Sequence, residues 1–402
     1  MQYASKELKT LIEDNKDSLA IILGNGVHRY FQNNNLPWET LLCELWNDYV
    51  GELSKIPHGI SYTEFYDALE LTMLKNISQT RTSITSNIQK LKKVTVADLQ
   101  KAMEEFEKDK IATPNVYKVP NFLDKLKRQH EQLIKSIAIK YDLDYDAIKE
   151  MKPADQTVFA ISLSANASLK PLLVNNIKRQ LAEKLKEWNP NDAIKRMISI
   201  LYCNNIPLLT TNYDATFEKS FEMTERKLAL PNKKRSVDTY PYNYYYTKKG
   251  GIGLNSPNDG FGIWHINGMA SHSRSIRLGL SDYMGLVERT RGMIHGRDRF
   301  GIGLYEGCVD KTTNTWIDII FKKSLLISGL ALEENEVFLR WILIQRAKWV
   351  NSTRSAQKGW YIQGPKDNID EGKKLFLKSV GFDIVKVPDY KVIYEDVWDE
   401  FD

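Results

Sequence analysis

Short apolar runs that end in polar or glycine residues recur along the chain, and they limit its possible folds more than any other feature. Each run has the length of a buried strand. Two helical patterns, NEVFLRWILIQRAKWV and DEGKKLFLKSVG, separate the last three runs. Strands that alternate with helices favour a parallel sheet covered on both faces, so we predict an α/β fold. The predicted strands lie in SLAIILGNGV at 18–27, IPLLTTN at 206–212, FGIWHING at 261–268, SLLISGLAL at 324–332, GWYIQG at 359–364 and FDIVKVP at 382–388.

A long stretch from about residue 61 to residue 190 interrupts this strand pattern. Glycine nearly vanishes there, while Lys, Glu, Gln, Leu and Ile recur at the three-to-four spacing of helices. We therefore predict that residues 1–60 form the first part of the α/β domain, that residues 61–190 form a large helical insertion, and that residues 191–402 form the rest of the domain.

Charge and cysteine content narrow the class of protein. The 56 basic residues nearly balance the 51 acidic ones, so the net charge of +5 does not require a nucleic-acid partner. Three widely spaced cysteines without a C-x-x-C pair argue against a disulfide framework and a four-cysteine zinc site, and we expect no metal. We recognise neither a leader peptide nor a membrane-spanning run, and we expect a cytoplasmic protein.

The first predicted strand ends in the turn Gly24-Asn25-Gly26. Open parallel sheets bind ligands beyond the carboxyl ends of their strands, and a glycine turn there lets backbone amides approach a phosphate. Arg29 occupies the place of the third glycine in the G-x-G-x-x-G pattern. A nucleotide-binding loop and a plain turn therefore both remain open.

Polar residues crowd the end of the next predicted strand, in PLLTTNYDATFEKSF. One explanation is that Asp214 caps a helix over ATFEKSFEM. That explanation does not account for Asn212 beside it, nor for Thr210 and Thr211. We therefore regard this strand end as the first candidate site.

A third strand end carries His265 in IWHINGM, followed by Asn267 and Gly268. A histidine in this place is either a hydrogen-bonded core residue or a catalytic group near a ligand. The sequence alone leaves both readings open.

These three segments, with LGLSDYMGL and LLISGLALEENEVFLRWIL, occur in the order seen in SIR2-like proteins. The chain resembles the bacterial branch of that family associated with antiphage defence. The resemblance covers about half of the chain and implies a Rossmann-like parallel sheet of the sirtuin type. The helical insertion is not part of the resemblance.

The resemblance also implies roles for individual residues. TTNYD would line the nicotinamide pocket, with Thr211 among the NAD-binding residues. Asn212 would orient the attacking group near the ribose, and Asp214 would contact the nicotinamide carboxamide. The remaining implied contacts are Gly24, Asn25 and Gly26 with the phosphates or the adenosine side, and Gly329 with the second ribose.

Two departures from the family bear on the chemistry. The family usually has its catalytic histidine directly before a glycine, whereas Asn267 precedes Gly268 here and His265 lies two residues earlier. Residues two apart on a strand share a face, so His265 and Asn267 are both candidates for that position beside Asn212. Protein-deacylating sirtuins also carry a zinc ribbon with two cysteine pairs, which this chain lacks.

The resemblance therefore implies hydrolysis of NAD+, as the substrate, to nicotinamide and ADP-ribose. Nicotinamide leaves as a neutral molecule through an oxocarbenium-like state, so the site must position a water or a ribose hydroxyl and need not supply an acid. A noncatalytic NAD-sensing module and an NAD-dependent protein deacylase are the alternatives.

Partners follow partly from the resemblance and partly from one loop. The family members imply a homo-oligomer that works with a HerA-like ATPase or another sensor subunit, which would activate NAD+ depletion. Separately, residues 231–251, PNKKRSVDTYPYNYYYTKKGG, interleave basic and aromatic residues. That pattern fits either single-stranded nucleic-acid binding or a surface loop or oligomer contact.

Overall fold

The computed structural model describes residues 2–31, 38–73, 177–179, 181–183, 185, 189–230, 241–295, 313–333, 336–367 and 369–401. The chain forms two compact units. The first comprises Met1–Pro37, Ser61–Glu64 and Ile177–Asp402, and the second comprises Trp38–Ile60 and Phe65–Asn176. Most of the predicted helical insertion at 61–190 lies outside the described residues.

One mixed sheet of eight strands forms the centre of the first unit, in the order β3-β4-β5-β2-β1-β6-β7-β8. Six neighbouring strands run parallel to one another, in the spatial order β5, β2, β1, β6, β7 and β8. Strand β4 is antiparallel to both of its neighbours. The predicted α/β fold with a Rossmann-like sheet is confirmed. The strands are β1 Leu19–Leu23, β2 Leu208–Thr210, β3 Met223–Lys227, β4 Tyr244–Lys248, β5 Ile263–His265, β6 Ser324–Ser328, β7 Gly359–Gln363 and β8 Phe382–Lys386.

The order of the parallel strands fixes where a ligand would bind. From β1 the chain moves outward to β2 and β5, then returns to the other side of β1 and continues through β6, β7 and β8. This is the classical doubly wound order, and its direction reverses between β1 and β6. In register, Leu23 at the end of β1 lies between Thr210 of β2 and Ser328 of β6. The carboxyl ends of these three strands therefore meet at the topological switch point.

Helices flank the strands in the positions that the sequence periodicity indicates. The predicted helices over NEVFLRWILIQRAKWV and DEGKKLFLKSVG are present, and a further helix, Trp38–Tyr49, lies in the second unit. Residues 62–73 are also helical. The helices are α1 Gln2–Asn15, α2 Gly26–Phe31, α3 Trp38–Tyr49, α4 Asp192–Cys203, α5 Leu280–His295, α6 Trp316–Lys322, α7 Val337–Thr353, α8 Glu371–Ser379 and α9 Val397–Asp399.

Apolar side chains fill both faces of the sheet. Successive residues of β1 alternate between two core clusters, with Ala20 and Ile22 in one and Leu19, Ile21 and Leu23 in the other. All five residues are buried, as expected for a central parallel strand covered on both sides. Helices α6 and α7 contribute to the first cluster, and α1 and α4 contribute to the second.

The structure excludes two of the alternatives that the sequence leaves open. The segment after Asp214 does not form an α-helix: a short 3-10 turn, Glu218–Ser220, and two further turn residues lead into β3. The tyrosine-rich segment is not a surface loop within its described part, because β4 lies in it and Tyr242 and Tyr245 are buried in the core. The alternation of buried and less buried residues along YYYTK is that of a strand. Residues 231–240 of this segment lie outside the described residues.

Candidate active site

The glycine turn after β1 packs directly against the residue that follows β6. The Gly24 amide donates to the Ser328 carbonyl at 3.1 Å, and the Gly26 amide donates to the Gly329 carbonyl at 2.9 Å. A Cβ on Gly26 would lie 2.5 Å from the Cα of Gly329, and Gly329 itself has a φ of +66°. Only glycines permit this approach of two backbones, so the two loops form one close-packed junction at the switch point.

Asn212 ties the end of β2 to this junction. Its side-chain Nδ2 donates to the Gly24 carbonyl at 3.2 Å, and its backbone amide donates to the Thr210 hydroxyl at 3.1 Å. That hydroxyl and the Thr211 amide both donate to the Leu23 carbonyl, at 3.0 and 3.2 Å. The carboxamide of Asn212 is therefore held at a defined point beside the glycine turn.

Asp214 forms a buried ion pair with His28 of α2. The Oδ2 to Nε2 distance is 3.0 Å, and the Thr216 amide donates to Oδ1 at 2.9 Å. Burial acts to raise the pKa of the Asp214 carboxyl, but the charge and hydrogen bond of His28 and the hydrogen bonds from Thr216 outweigh it and lower the pKa to about 2. Asp214 is therefore ionised at every physiological pH.

His265 is buried, and both of its ring nitrogens face acceptors. Nδ1 lies 2.8 Å from the Asn212 carbonyl oxygen, and Nε2 lies 2.8 Å from Oε1 of Glu218. Burial acts to lower the pKa of His265, but the charge and hydrogen bond of Glu218, the Asn212 carbonyl and the charge of Asp214 raise it overall. The ring thus joins the 3-10 turn to the end of β2.

Asn267 lies in the turn that follows β5. It is buried, and within the described part of the chain its Oδ1 has no hydrogen-bond partner. Its carbonyl accepts from the Arg277 amide at 3.0 Å. The next residue, Gly268, has a φ of +96°, and a Cβ there would lie 2.3 Å from the Ser275 carbonyl oxygen. A buried acceptor without a partner costs about 1 to 3 kcal/mol, and such a group is suited to a donor on a ligand.

The structure brings together most of the residues that the sequence singles out. The junction glycines, Asn212 and His265 are connected by the contacts described above, and Asp214 is linked to them through His28 of the helix that begins at Gly26. Asn25 and Thr211 are half-buried at the same edge. Asn267 follows β5 at this edge, and its Oδ1 makes no hydrogen bond to another described residue.

Two functional candidates escaped the sequence analysis, His28 and Glu218. Each lies four residues after a predicted site residue, Gly24 and Asp214 respectively. That spacing is a weak signal, because the partners of both side chains belong to distant segments of the chain. Their pairing is visible only once the strand ends are adjacent.

These features define a Rossmann-like α/β protein with a buried polar network at the switch point, which is where such sheets bind nucleotides. Among the described residues, no group of three or more His, Cys, Asp or Glu side chains is arranged to hold a metal ion. No helix in the described ranges is long and apolar enough to cross a membrane.

Comparison with known families agrees with this class. Residues 207–385 match the family described as SIR2-like domain, and the matched range runs from the start of β2 into β8. The family includes NAD-utilising enzymes, and the domain indicates NAD-dependent enzymatic activity in general. No curated protein matches the chain. The first glycine turn and His28 precede the matched range and are connected to it by the hydrogen bond of Asn212 and the ion pair of Asp214.

Proposed function

We propose that the protein is an NAD+ glycohydrolase, which cleaves NAD+ to nicotinamide and ADP-ribose. The observation that carries this proposal is the placement of Asn212. Its side chain is fixed to the Gly24 carbonyl at the switch point of a SIR2-like domain, and its own carbonyl is fixed by His265.

The chemistry suits such a rigid amide. The bond between the ribose and the positively charged pyridinium breaks to release neutral nicotinamide, so no acid has to protonate the leaving group. Catalysis then depends on orienting a water at the ribose carbon and on stabilising the oxocarbenium-like state. We assign the orienting role to Asn212, while the catalytic roles of His265 and Asn267 stay predictions.

The NAD+ contacts that we propose follow the edge of the sheet. The junction residues Gly24, Asn25, Gly26 and Gly329 would face the phosphates, the adenosine side and the second ribose, and Thr211 would line the nicotinamide side. Asp214 uses one oxygen for His28 and the other for the Thr216 amide. A carboxylate has about four lone-pair positions, so it can still accept from the nicotinamide carboxamide.

In the cell, we propose that the enzyme acts in the cytoplasm as an antiphage effector that depletes NAD+ when a partner or self-assembly activates it. A homo-oligomer with a HerA-like ATPase or another sensor subunit is the arrangement that we favour. Protein deacylation is a weaker proposal, because the chain has no C-x-x-C pair for a zinc ribbon.

A noncatalytic NAD-sensing module is the second candidate, and one observation favours it. Both ring nitrogens of His265 face acceptors within the protein, so the ring offers no free nitrogen to act as a base. This candidate predicts NAD+ binding without nicotinamide release.

Nicotinamide release from NAD+, followed by chromatography, tests the proposal. We expect Asn212→Ala to lower turnover by at least about a hundredfold, since positioning of the attacking group is lost. Asn351→Ala is the matched control, because Asn351 is exposed at the end of α7. His265→Ala and Asn267→Ala complete the set. Full turnover by Asn212→Ala would show that the site is misplaced, and NAD+ binding by an inactive wild-type chain would favour the sensor.

A further inference from the structure

We propose that Glu218 is a positioning residue that acts through His265 to fix Asn212 in the candidate active site. The proposal rests on the proposed NAD+ cleavage, and it gives His265 a role different from that of a general base. Three contacts in series connect the three residues with the glycine turn.

The series starts at a buried carboxylate. Oε1 of Glu218 lies 2.8 Å from Nε2 of His265, Nδ1 of His265 lies 2.8 Å from the Asn212 carbonyl, and the Asn212 side chain donates to the Gly24 carbonyl at 3.2 Å. Within the described residues, Oε2 of Glu218 has no hydrogen-bond partner. The contact with His265 is therefore the interaction that compensates for burying the Glu218 charge.

The nature of these partners sets the protonation state of the ring. A carboxylate and a carbonyl oxygen can only accept, whereas a neutral imidazole has one donor and one acceptor nitrogen. A neutral ring would therefore place a lone pair against an oxygen at one of the two contacts. A protonated ring donates at both, so this geometry favours the imidazolium.

The surrounding charges agree with that assignment. Three carboxylates act on His265 from three different segments: Glu218 in the 3-10 turn, Asp214 in the loop after β2, and Glu225 in β3. Tyr246 of β4 packs edge-on against the ring, with centroids 6.1 Å apart. The pKa of His265 is raised, although burial opposes this. An imidazolium cannot accept a proton from water, so its contribution is to hold the Asn212 backbone in place.

The first test compares Glu218→Gln with wild type in NAD+ cleavage. We expect kcat to fall by about tenfold to a hundredfold with less than about a threefold change in KM, because orientation is lost while most NAD+ contacts stay. Activity should also be lost at a lower pH on the alkaline side, since His265 then deprotonates more easily. Glu222→Gln is the matched control, because Glu222 lies nearby on the same segment but is exposed.

The second test does not depend on activity. In NMR spectra of protein labelled with ¹⁵N-histidine, the imidazole signal of His265 is the one that is lost in His265→Gln. In wild type at pH 7.5, this signal should show protons on both ring nitrogens. It should titrate at a lower pH in Glu218→Gln. A wild-type ring with one protonated nitrogen at pH 7.5 would overturn the proposal, even if Glu218→Gln fails to fold.

The two tests separate this proposal from the proposed function. If wild type is active and Glu218→Gln has the same kcat and pH profile as wild type, the positioning role alone is overturned. An inactive wild type whose His265 ring is doubly protonated would overturn NAD+ cleavage and leave the Glu218–His265 contact supported.

Discussion

Two carboxyl groups beyond the strand ends, the buried Asp214 and the half-buried Glu336, have pKa values shifted in opposite directions. Burial acts to raise the pKa of Asp214, but His28 and Thr216 outweigh this effect and lower the pKa to about 2. The pKa of Glu336, which precedes α7, is raised to about 6 by burial and by the charge of Glu333. The difference is physical: Asp214 lies 3.0 Å from a ring nitrogen of His28 and accepts from the Thr216 amide, whereas no side-chain hydrogen bond caps α7 through Glu336. The Asp214 interaction stabilises the fold above a pH of about 4 and is lost as the pH falls through 2.

Glu336 supplies a prediction about stability and pH. Its folded pKa of about 6 exceeds the ordinary value of 4.5, so the folded state binds the proton more tightly than the unfolded state does. Stability from this group is therefore present below 4.5 and is lost as the pH rises through 6. Glu336→Gln removes the ionisation, and its stability relative to wild type should increase by about 2 kcal/mol between pH 4 and pH 8.

Urea denaturation of both proteins at several pH values measures this difference. Glu52→Gln, at an exposed glutamate, is the control and should show no such pH-dependent gain. A constant difference between Glu336→Gln and wild type across the range would show that the carboxyl is not destabilised by burial.

The junction between the turns after β1 and β6 is the structural element on which the candidate site depends. Gly329→Ala would place a Cβ 2.7 Å from the Tyr394 hydroxyl and 3.2 Å from the Gly26 backbone, at a φ of +66°. We expect a loss of about 2 to 4 kcal/mol, from left-handed strain together with overpacking. Gly381→Ala is a matched control, because Gly381 has a φ of +80° but open space around its Cα.

Thermal or urea unfolding of the two variants separates the contributions. Gly381→Ala should cost only the conformational strain of about 1 kcal/mol. The excess loss in Gly329→Ala then measures the close approach of the two loops. Equal losses in both variants would indicate that the junction can relax around a methyl group.

Strands were easier to predict from the sequence than the elements between them. β1 and β6 are continuous apolar runs because both faces of the sheet are covered, and such runs are distinctive. The β3–β4 hairpin was missed, since MTERK is half-buried and reads as polar. The strand ends were predicted as candidate sites because chemistry in open sheets concentrates there. The contacts of His28 and Glu218 were not predicted, because each joins two distant segments. His28 and its partner Asp214 are about 190 residues apart, and Glu218 and its partner His265 are about 50 residues apart.

The arrangement of the whole sheet explains why these separate segments can form one site. In the chain, 184 residues lie between Leu23 at the end of β1 and Leu208 at the start of β2, yet the two strands are adjacent in the sheet. Parallel strands need long crossovers, and here the crossover accommodates an additional compact unit without separating the strand ends. The site therefore belongs to the sheet as a whole.

Activity of the intact protein should be controlled by assembly. A permanently active NAD+ hydrolase would deplete the NAD+ of its own host, so we expect turnover to depend on self-association or on a partner subunit. The specific rate of nicotinamide release should rise by at least about tenfold when the purified chain assembles or is mixed with a partner such as a HerA-like ATPase or another sensor subunit. Particle mass and NAD+ loss, measured on the same samples, check this, with Asn212→Ala as the control that assembles without turnover. A monomer whose full activity does not change with concentration or with the partner would contradict control by assembly.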